Sequence, residues 1–175
     1  IVHTDRLDYL APINMNIGFV LAVEKLLDLE VTPRCRVTRV ILAELGRMAD
    51  HLLWLGTAAM DLGAFTVLLY AFRERETLYD IFENLTGARL TTSFTRVGGM
   101  AADLPDGFES QVNDFIDVFP QKIEEYERLL TRNKIWADRT RGVGVISPEE
   151  AVSFGMSGPN LRSTGVEHDL RRAEP

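Results

Sequence analysis

The sequence predicts a mainly α-helical protein with short β or loop segments, and three observations carry that expectation. Apolar residues recur at steps of three and four through three long stretches. Helix boundary signals sit where those stretches begin and end: Thr32-Pro33, Gly87 and Ser147-Pro148-Glu149-Glu150. The 175 residues are 46% apolar and 26% charged, an ordinary globular composition with enough apolar mass for a core.

Leu10 to Leu29 reads as the first helix. Val20, Val23, Leu26 and Leu27 are expected on its core side, with Glu24, Lys25 and Asp28 opposite. Thr32 is a good N-cap and Pro33 suits the first helical turn, so a second helix restarts there. Its stripe is Val37, Ile41, Leu45, Met48, Leu52 and Leu55. Arg36, Arg39, Arg47 and Asp50 lie off it, and Arg47 is expected to pair with Asp50.

Leu52 to Phe72 is nearly free of charge and about as long as a membrane span. Asp61 sits at its centre, where a carboxylate costs roughly 2.5–3.5 kcal/mol on insertion. Gly56, Gly63 and Ala64 suggest a bend or a close helix contact, so a buried helix pair is expected. Leu68, Ala71, Leu78, Phe82 and Leu85 then form a stripe closed by Gly87. Arg75 falls within it. It either pairs with a carboxylate across helices or lays its stem on the stripe with its head in water.

Residues 89–97 are β-prone and polar, and Gly98-Gly99 breaks the run. Phe108, Val112, Phe115, Phe119, Ile123, Tyr126 and Leu130 mark another helix, with a kink expected at Pro120. The tail from Ile135 is loop-rich, with a tight turn or strand at Gly142–Val145. A capping box at Ser147–Glu150 opens a short helix that ends at Gly155.

Nineteen Lys+Arg against 26 Asp+Glu give a net charge of −7, a poor match to nucleic acid. Cys35 is the single cysteine, so neither an internal disulfide nor a cysteine-based metal site is possible. It is expected to be a structural thiol. His3, His51 and His168 lack metal-ligand spacing, and there is no P-loop, nucleophile elbow or dinucleotide fingerprint. What stands out is polarity in apolar surroundings. Thr57 and Asp61 share one helix face among Leu, Ala, Met and Phe. They read either as a helix–helix hydrogen bond or as a proton-handling or substrate-orienting site, and the carboxylate is expected to be buried and so either paired or raised in pKa. Tyr9 is either a core residue or a hydroxyl presented to a ligand.

Several ordered motifs span the chain: Arg6-Leu7-Asp8-Tyr9-Leu10, Ala22-Val23-Glu24-Lys25-Leu26-Leu27 and His51-Leu52-Leu53-Trp54-Leu55-Gly56-Thr57. They continue with Asp61-Leu62-Gly63-Ala64, Tyr70-Ala71-Phe72-Arg73-Glu74-Arg75-Glu76 and Arg96-Val97-Gly98-Gly99. Asp103-Leu104-Pro105, Arg141–Ile146 and Leu161–Val166 complete the set. In these the sequence resembles the D subunit of NADH:quinone oxidoreductase, respiratory complex I. The resemblance implies the helical core of the [NiFe]-hydrogenase large subunit. It implies that 1–175 is the central part of the single domain of that protein, with the family's N- and C-terminal parts outside it and Ile1 and Pro175 as cut ends.

The same resemblance implies a role in quinone reduction. Tyr9 matches a tyrosine that hydrogen-bonds the quinone headgroup, together with a histidine from an N-terminal hairpin. Asp61 matches the aspartate paired with that histidine, and Thr57 a residue beside the same cavity. Arg6 matches an arginine near the terminal [4Fe–4S] cluster, which is held in the adjacent subunit. Many members have His-His where this chain has Thr91-Thr92, and the first of these lies near that cluster. Implied partners are the cluster-bearing B subunit, the C subunit and the membrane-arm H subunit. The implied place is the peripheral arm at the cytoplasmic face of the bacterial inner membrane. NAD(H) would be used by the whole complex, and the fragment alone would be inactive. Ubiquinone and menaquinone are not distinguished, nor are NADH, ferredoxin and F420 as donors.

Two rivals share the helical class. An energy-converting [NiFe]-hydrogenase large subunit needs Arg-x-Cys-Gly-x-Cys where this chain reads Arg6-Leu7-Asp8-Tyr9-Leu10-Ala11. A non-catalytic helical scaffold would bind no ligand at Tyr9 or Asp61.

Overall fold

The computed structural model describes residues 2–173, so the chain ends Ile1, Glu174 and Pro175 lie outside the described residues. The chain forms two compact units, residues 1–136 and 137–175. The first opens with a 3₁₀ turn at Thr4–Arg6 and holds four long helices: α1 (Pro12–Leu27), α2 (Pro33–Asp61), α3 (Phe65–Thr86) and α4 (Phe108–Leu129). Between α3 and α4 lies a two-stranded antiparallel hairpin, β1 (Thr95–Arg96) and β2 (Gly99–Met100), paired Thr95 to Met100 and Arg96 to Gly99. α5 (Lys134–Thr140) carries the chain into the second unit.

α2 starts as its sequence requires. Thr32 accepts the Cys35 backbone N–H and Pro33 occupies the first turn. The expected helix pair is α2 and α3, joined by Leu62-Gly63-Ala64, too short a link for anything but antiparallel neighbours. Gly63 sits at φ 91°, which a side chain would resist. Gly56 is a point of close approach in that pair: a Cβ there would stand 2.9 Å from Leu68 Cδ1 and 3.2 Å from its Cα. α3 ends at Gly87, at φ 77° in the left-handed region, as the pattern predicts. The core collects Leu42, Leu45, Ala49, Leu52, Ala71, Leu78, Phe82, Phe108, Phe115 and Tyr126 from α2, α3 and α4.

The helices are where the pattern puts them, but two of their buried faces are not. α1 buries Ile13, Ile17, Val20 and Glu24, while Leu26 and Leu27 are exposed. Glu24 goes inward because a guanidinium and a backbone N–H await it there. On α2 the buried face is rotated: Thr38, Arg39, Leu42, Ala49 and Gly56 are inside, and Val37 is exposed. Leu45 and Leu52 alone of the expected stripe are fully buried, with Ile41, Met48 and Leu55 at its edge. Arg47 pairs with Glu44 at 2.8 Å rather than with Asp50, choosing the preceding turn.

Arg75 satisfies neither reading offered for it. It is buried, its Nε donates to the Ala49 carbonyl of α2 (3.2 Å), and its guanidinium lies 4.5 Å from the Tyr79 ring centre. A carbonyl and an aromatic face replace the carboxylate. Its neighbour Glu74, also buried, pairs instead with Arg73 (2.7 Å) and with Lys122 of α4 (3.5 Å). α4 runs unbroken through Pro120, with Phe108, Val112, Phe115, Tyr126 and the flanking Leu130 inside and Ile123 exposed.

The second unit is built from turns and short helices: α6 (Pro148–Ser153), α7 (Gly158–Arg162) and α8 (Leu170–Ala173). The predicted capping box is complete. Ser147 Oγ accepts the Glu150 N–H, and Glu150 Oε2 accepts the Ser147 N–H. Gly142–Val145 is a turn with both valines exposed, not a strand. Among the described residues no helix is long and apolar enough to cross a membrane.

Gly56→Val should destabilise the chain by about 1–3 kcal/mol through overpacking at the α2–α3 contact. Urea unfolding checks this; a variant as stable as the parent would mean that the two helices do not meet at Gly56.

Candidate functional site

The five residues singled out by sequence lie on three segments. Arg6 ends the 3₁₀ turn; it is exposed and its Nη1 donates to the Val2 carbonyl at 2.5 Å. Tyr9 follows in a bend and is 64% exposed. Thr91 is exposed in the loop between α3 and β1. Thr57 and Asp61 occupy the last turns of α2.

The expected buried carboxylate is not found: Asp61 is the last residue of α2 and is exposed. It stands where α2 ends, on the side turned away from the core, next to the exposed Met60. Thr57 is half-buried and spends its hydroxyl on its own helix, donating to Leu53 O (2.9 Å) and Trp54 O (3.2 Å). The reading of Thr57 and Asp61 as a helix–helix hydrogen bond is therefore also incorrect.

The structure joins two of the three segments through a residue that sequence reasoning passed over. Asp5 is 1% exposed. Its carboxylate accepts the Ser93 N–H at 3.3 Å and a short hydrogen bond from the Ser93 hydroxyl. Ser93 adopts φ 41°, an uncommon left-handed conformation for a residue other than glycine. Behind Asp5, Asn16 of α1 donates to Thr4 Oγ1 at 2.6 Å. One latch thus ties the Arg6–Tyr9 segment to the Thr91 segment. Tyr9 is also near enough to Tyr79 of α3 to raise the phenol further, though burial is the main cause of that rise. No described hydrogen bond reaches from these segments to Thr57 or Asp61. Ala49 of α2 lies beside Tyr79, and Asp61 is roughly 18 Å further along the helix axis.

The loop that carries Thr91 runs on into the β1–β2 hairpin, and that hairpin is gripped by a buried ion pair. Arg39 of α2 and Glu24 of α1 meet in a two-pronged contact, Nη1–Oε2 2.7 Å and Nη2–Oε1 2.8 Å. Their side chains are 4% and 6% exposed. Arg39 Nη2 also donates to the carbonyls of Arg96 (3.0 Å) and Gly99 (2.9 Å), and Glu24 Oε1 accepts the Gly98 N–H (2.7 Å). The Arg39 hydrogen bond, helped by that of Gly98, holds the Glu24 carboxyl below its ordinary value against the opposing effect of burial. The Glu24 hydrogen bond raises Arg39 in turn. Among the described residues no group of three His, Cys, Asp or Glu side chains comes together to hold a metal ion.

The family model of the respiratory-chain NADH dehydrogenase 49 kDa subunit matches residues 61–175, two thirds of the chain. The chain belongs to that family. Among its relatives, the NADH-quinone oxidoreductase D subunit of Geotalea uraniireducens is 55% identical over 172 residues, covering 98% of this chain and 44% of that protein. The D 2 subunit of the same enzyme in Roseiflexus sp. is 55% identical over 175 residues, covering 100% and 42%. The D 2 subunit of Rhizobium etli is 56% identical over 172 residues, covering 98% and 43%. The chain therefore spans less than half the length of these relatives. Membership in the 49 kDa family accords with the mainly helical fold and carries the hydrogenase large-subunit type of core.

Within this 49 kDa family chain, Asp5, Glu24 and Arg39 are the residues that hold the candidate segments in place and that sequence reasoning missed. Glu24 and Arg39 read as surface charges on amphipathic helices. The one hint was Gly98-Gly99, a pair that permits close backbone approach. For Asp5, in a polar segment ahead of the first helix, the sequence carried no signal.

Glu24→Gln should cost about 3–5 kcal/mol, because it leaves the Arg39 charge buried without its partner. A carboxyl held below its unfolded value adds stability that is complete above about pH 4.5 and lost as pH falls through the folded value. Urea unfolding at pH 7 and pH 3.5 should show the parent losing part of this stability and the variant losing less. Equal pH dependence in both would be the contrary result.

Proposed function

We propose that this chain forms part of the quinone-reducing site of a proton-translocating NADH:quinone oxidoreductase, beside a terminal [4Fe–4S] cluster carried by a neighbouring subunit. The carrying observation is the latch from Asp5 to Ser93. It brings the segment of Arg6 and Tyr9 against the segment of Thr91, and the family resemblance assigns Tyr9 to the quinone headgroup and Arg6 and Thr91 to the vicinity of the cluster. The names of the relatives supply the reaction. The chain itself offers no thiolate set for a cluster: Cys35, its single cysteine, is buried at the start of α2.

Reduction of a quinone to a quinol takes two electrons and two protons. A cluster in the neighbouring subunit would supply the electrons one at a time. Tyr9 offers an exposed phenol that donates a hydrogen bond to one quinone carbonyl oxygen and gives that oxygen a proton as it gains electron density. The second proton belongs to the family's hairpin histidine. Asp61, exposed in this chain, offers its carboxylate to that histidine. When the histidine loses its proton the pair loses its charge balance, and this change at Asp61 is what we connect with proton pumping in the membrane arm. Thr57 borders the same cavity. Arg6 and Thr91 face the cluster, where a threonine brings neither the positive charge nor the proton exchange of a histidine. The B, C and H subunits are the partners of this arrangement, at the cytoplasmic face of the bacterial inner membrane.

In the assembled complex, Tyr9→Phe should lower quinone turnover at least tenfold, within the range of a lost general acid. A variant with parental rate and quinone KM would refute the headgroup role. Asp61→Asn should reduce protons moved per quinone reduced; parental turnover together with parental pumping would exclude its coupling role. Thr91→His should raise the cluster potential and make it more pH-dependent in a redox titration, and an unchanged slope would remove Thr91 from the vicinity of the cluster.

A further inference from the structure

Behind the loop that carries Thr91 lies a cavity the proposed reaction does not use. It is enclosed by the start of α1, the middle of α2, α3 and residues 89–92. Its walls are mostly apolar, Ile13, Ala49, Phe82 and Leu90 among them, and its polar lining comes from Tyr79, Thr92 and Arg89. Tyr79 and Thr92 are 9% and 8% exposed, and neither the Tyr79 phenol oxygen nor Thr92 Oγ1 has a hydrogen-bond partner among the described residues. Buried Tyr and Thr hydroxyls are normally satisfied, since an unmade hydrogen bond there is destabilising. The Tyr79 ring cannot easily turn its hydroxyl out to solvent. The Arg75 and Arg89 guanidiniums lie 4.5 and 5.7 Å from its centre. The space available to the centre of a water is about 10 Å³, enough for one molecule and far too small for a quinone headgroup.

We propose that this cavity binds a single structural water, hydrogen-bonded by Tyr79 and Thr92, which tethers the Thr91-Thr92 loop to α3. The size selects water over any larger ligand, and the two hydroxyls supply the polar partners that distinguish a hydrated cavity from a dry one. Burial pushes the Tyr79 phenol up, so it stays protonated and donates; Thr92 can accept or donate. The loop is then held at two successive residues, by the water at Thr92 and by Asp5 at Ser93. This makes Tyr79 a positioning residue for Thr91, a consequence that rests on the quinone-site reading above; the water itself does not.

A high-resolution map of the assembled complex tests it. The parent should show a density peak about 2.7–2.8 Å from both oxygens, and the peak should vanish in Tyr79→Phe and in Thr92→Val. A map that resolves neighbouring waters but has none here would overturn the site. So would density continuous with a side chain from another segment, or a peak that survives both substitutions. For the positioning role, Tyr79→Phe should shift the potential of the neighbouring subunit's cluster in a redox titration, with turnover largely kept. Loss of the peak with an unchanged cluster potential would overturn that role while the water site stands. A failed quinone-site reading would be seen separately, in Tyr9→Phe.

Discussion

Glu24 and Arg39 face each other across the α1–α2 contact with almost no access to water, and between them they hold three backbone groups of the β1–β2 hairpin. Two strands of two residues each cannot sustain themselves. The hairpin exists because a guanidinium and a carboxylate, each needing more hydrogen bonds than the other can supply, take Arg96 O, Gly99 O and Gly98 N–H as well. A buried pair of this kind adds little net stability over apolar packing, but it tolerates only one geometry. Here that geometry fixes where the chain emerges between α3 and α4, and hence the loop of Thr91, Thr92 and Ser93.

From that loop the constraint passes to the start of the chain. Ser93, in its left-handed conformation, gives both a backbone N–H and a hydroxyl to the buried Asp5 carboxylate. Arg6 is the next residue, and Tyr9 follows within one bend. The segments that carry the proposed site are therefore irregular in themselves and ordered by anchors just behind them. Such an arrangement leaves the side chains proposed for the site, Arg6, Tyr9 and Thr91, exposed while their backbones are held. Thr57 and Asp61 are presented differently, on the rigid last turns of a 29-residue helix.

Much of this architecture was legible in the residues. Thr32-Pro33, Gly87 and Ser147–Glu150 marked helix ends correctly because caps and left-handed termini are local effects, decided by a few neighbouring atoms. The α4 stripe was read nearly in full because its apolar residues are large and its polar face is densely charged. The faces of α1 and α2 were misread because the apolar count there misleads. Leu26, Leu27 and Val37 are outside, while Glu24 and Arg39 are inside. A charge buried with its exact complement is indistinguishable, one helix at a time, from a charge in water. Asp61 erred in the opposite direction: apolar neighbours in sequence suggested burial, and the end of α2 left it exposed.

By itself, then, the sequence determined the helical class, the positions of the long helices, the caps and, through its ordered motifs, membership in the 49 kDa subunit family. Only the tertiary structure decided which charges go inside, that Asp5 joins the Tyr9 and Thr91 segments, and that Arg75 answers to a carbonyl and an aromatic ring. The physical reason is range. Helix propensity and capping act over one turn of chain, whereas an ion pair such as Glu24–Arg39, or a latch between residues 88 positions apart, exists only once packing has brought its two halves together.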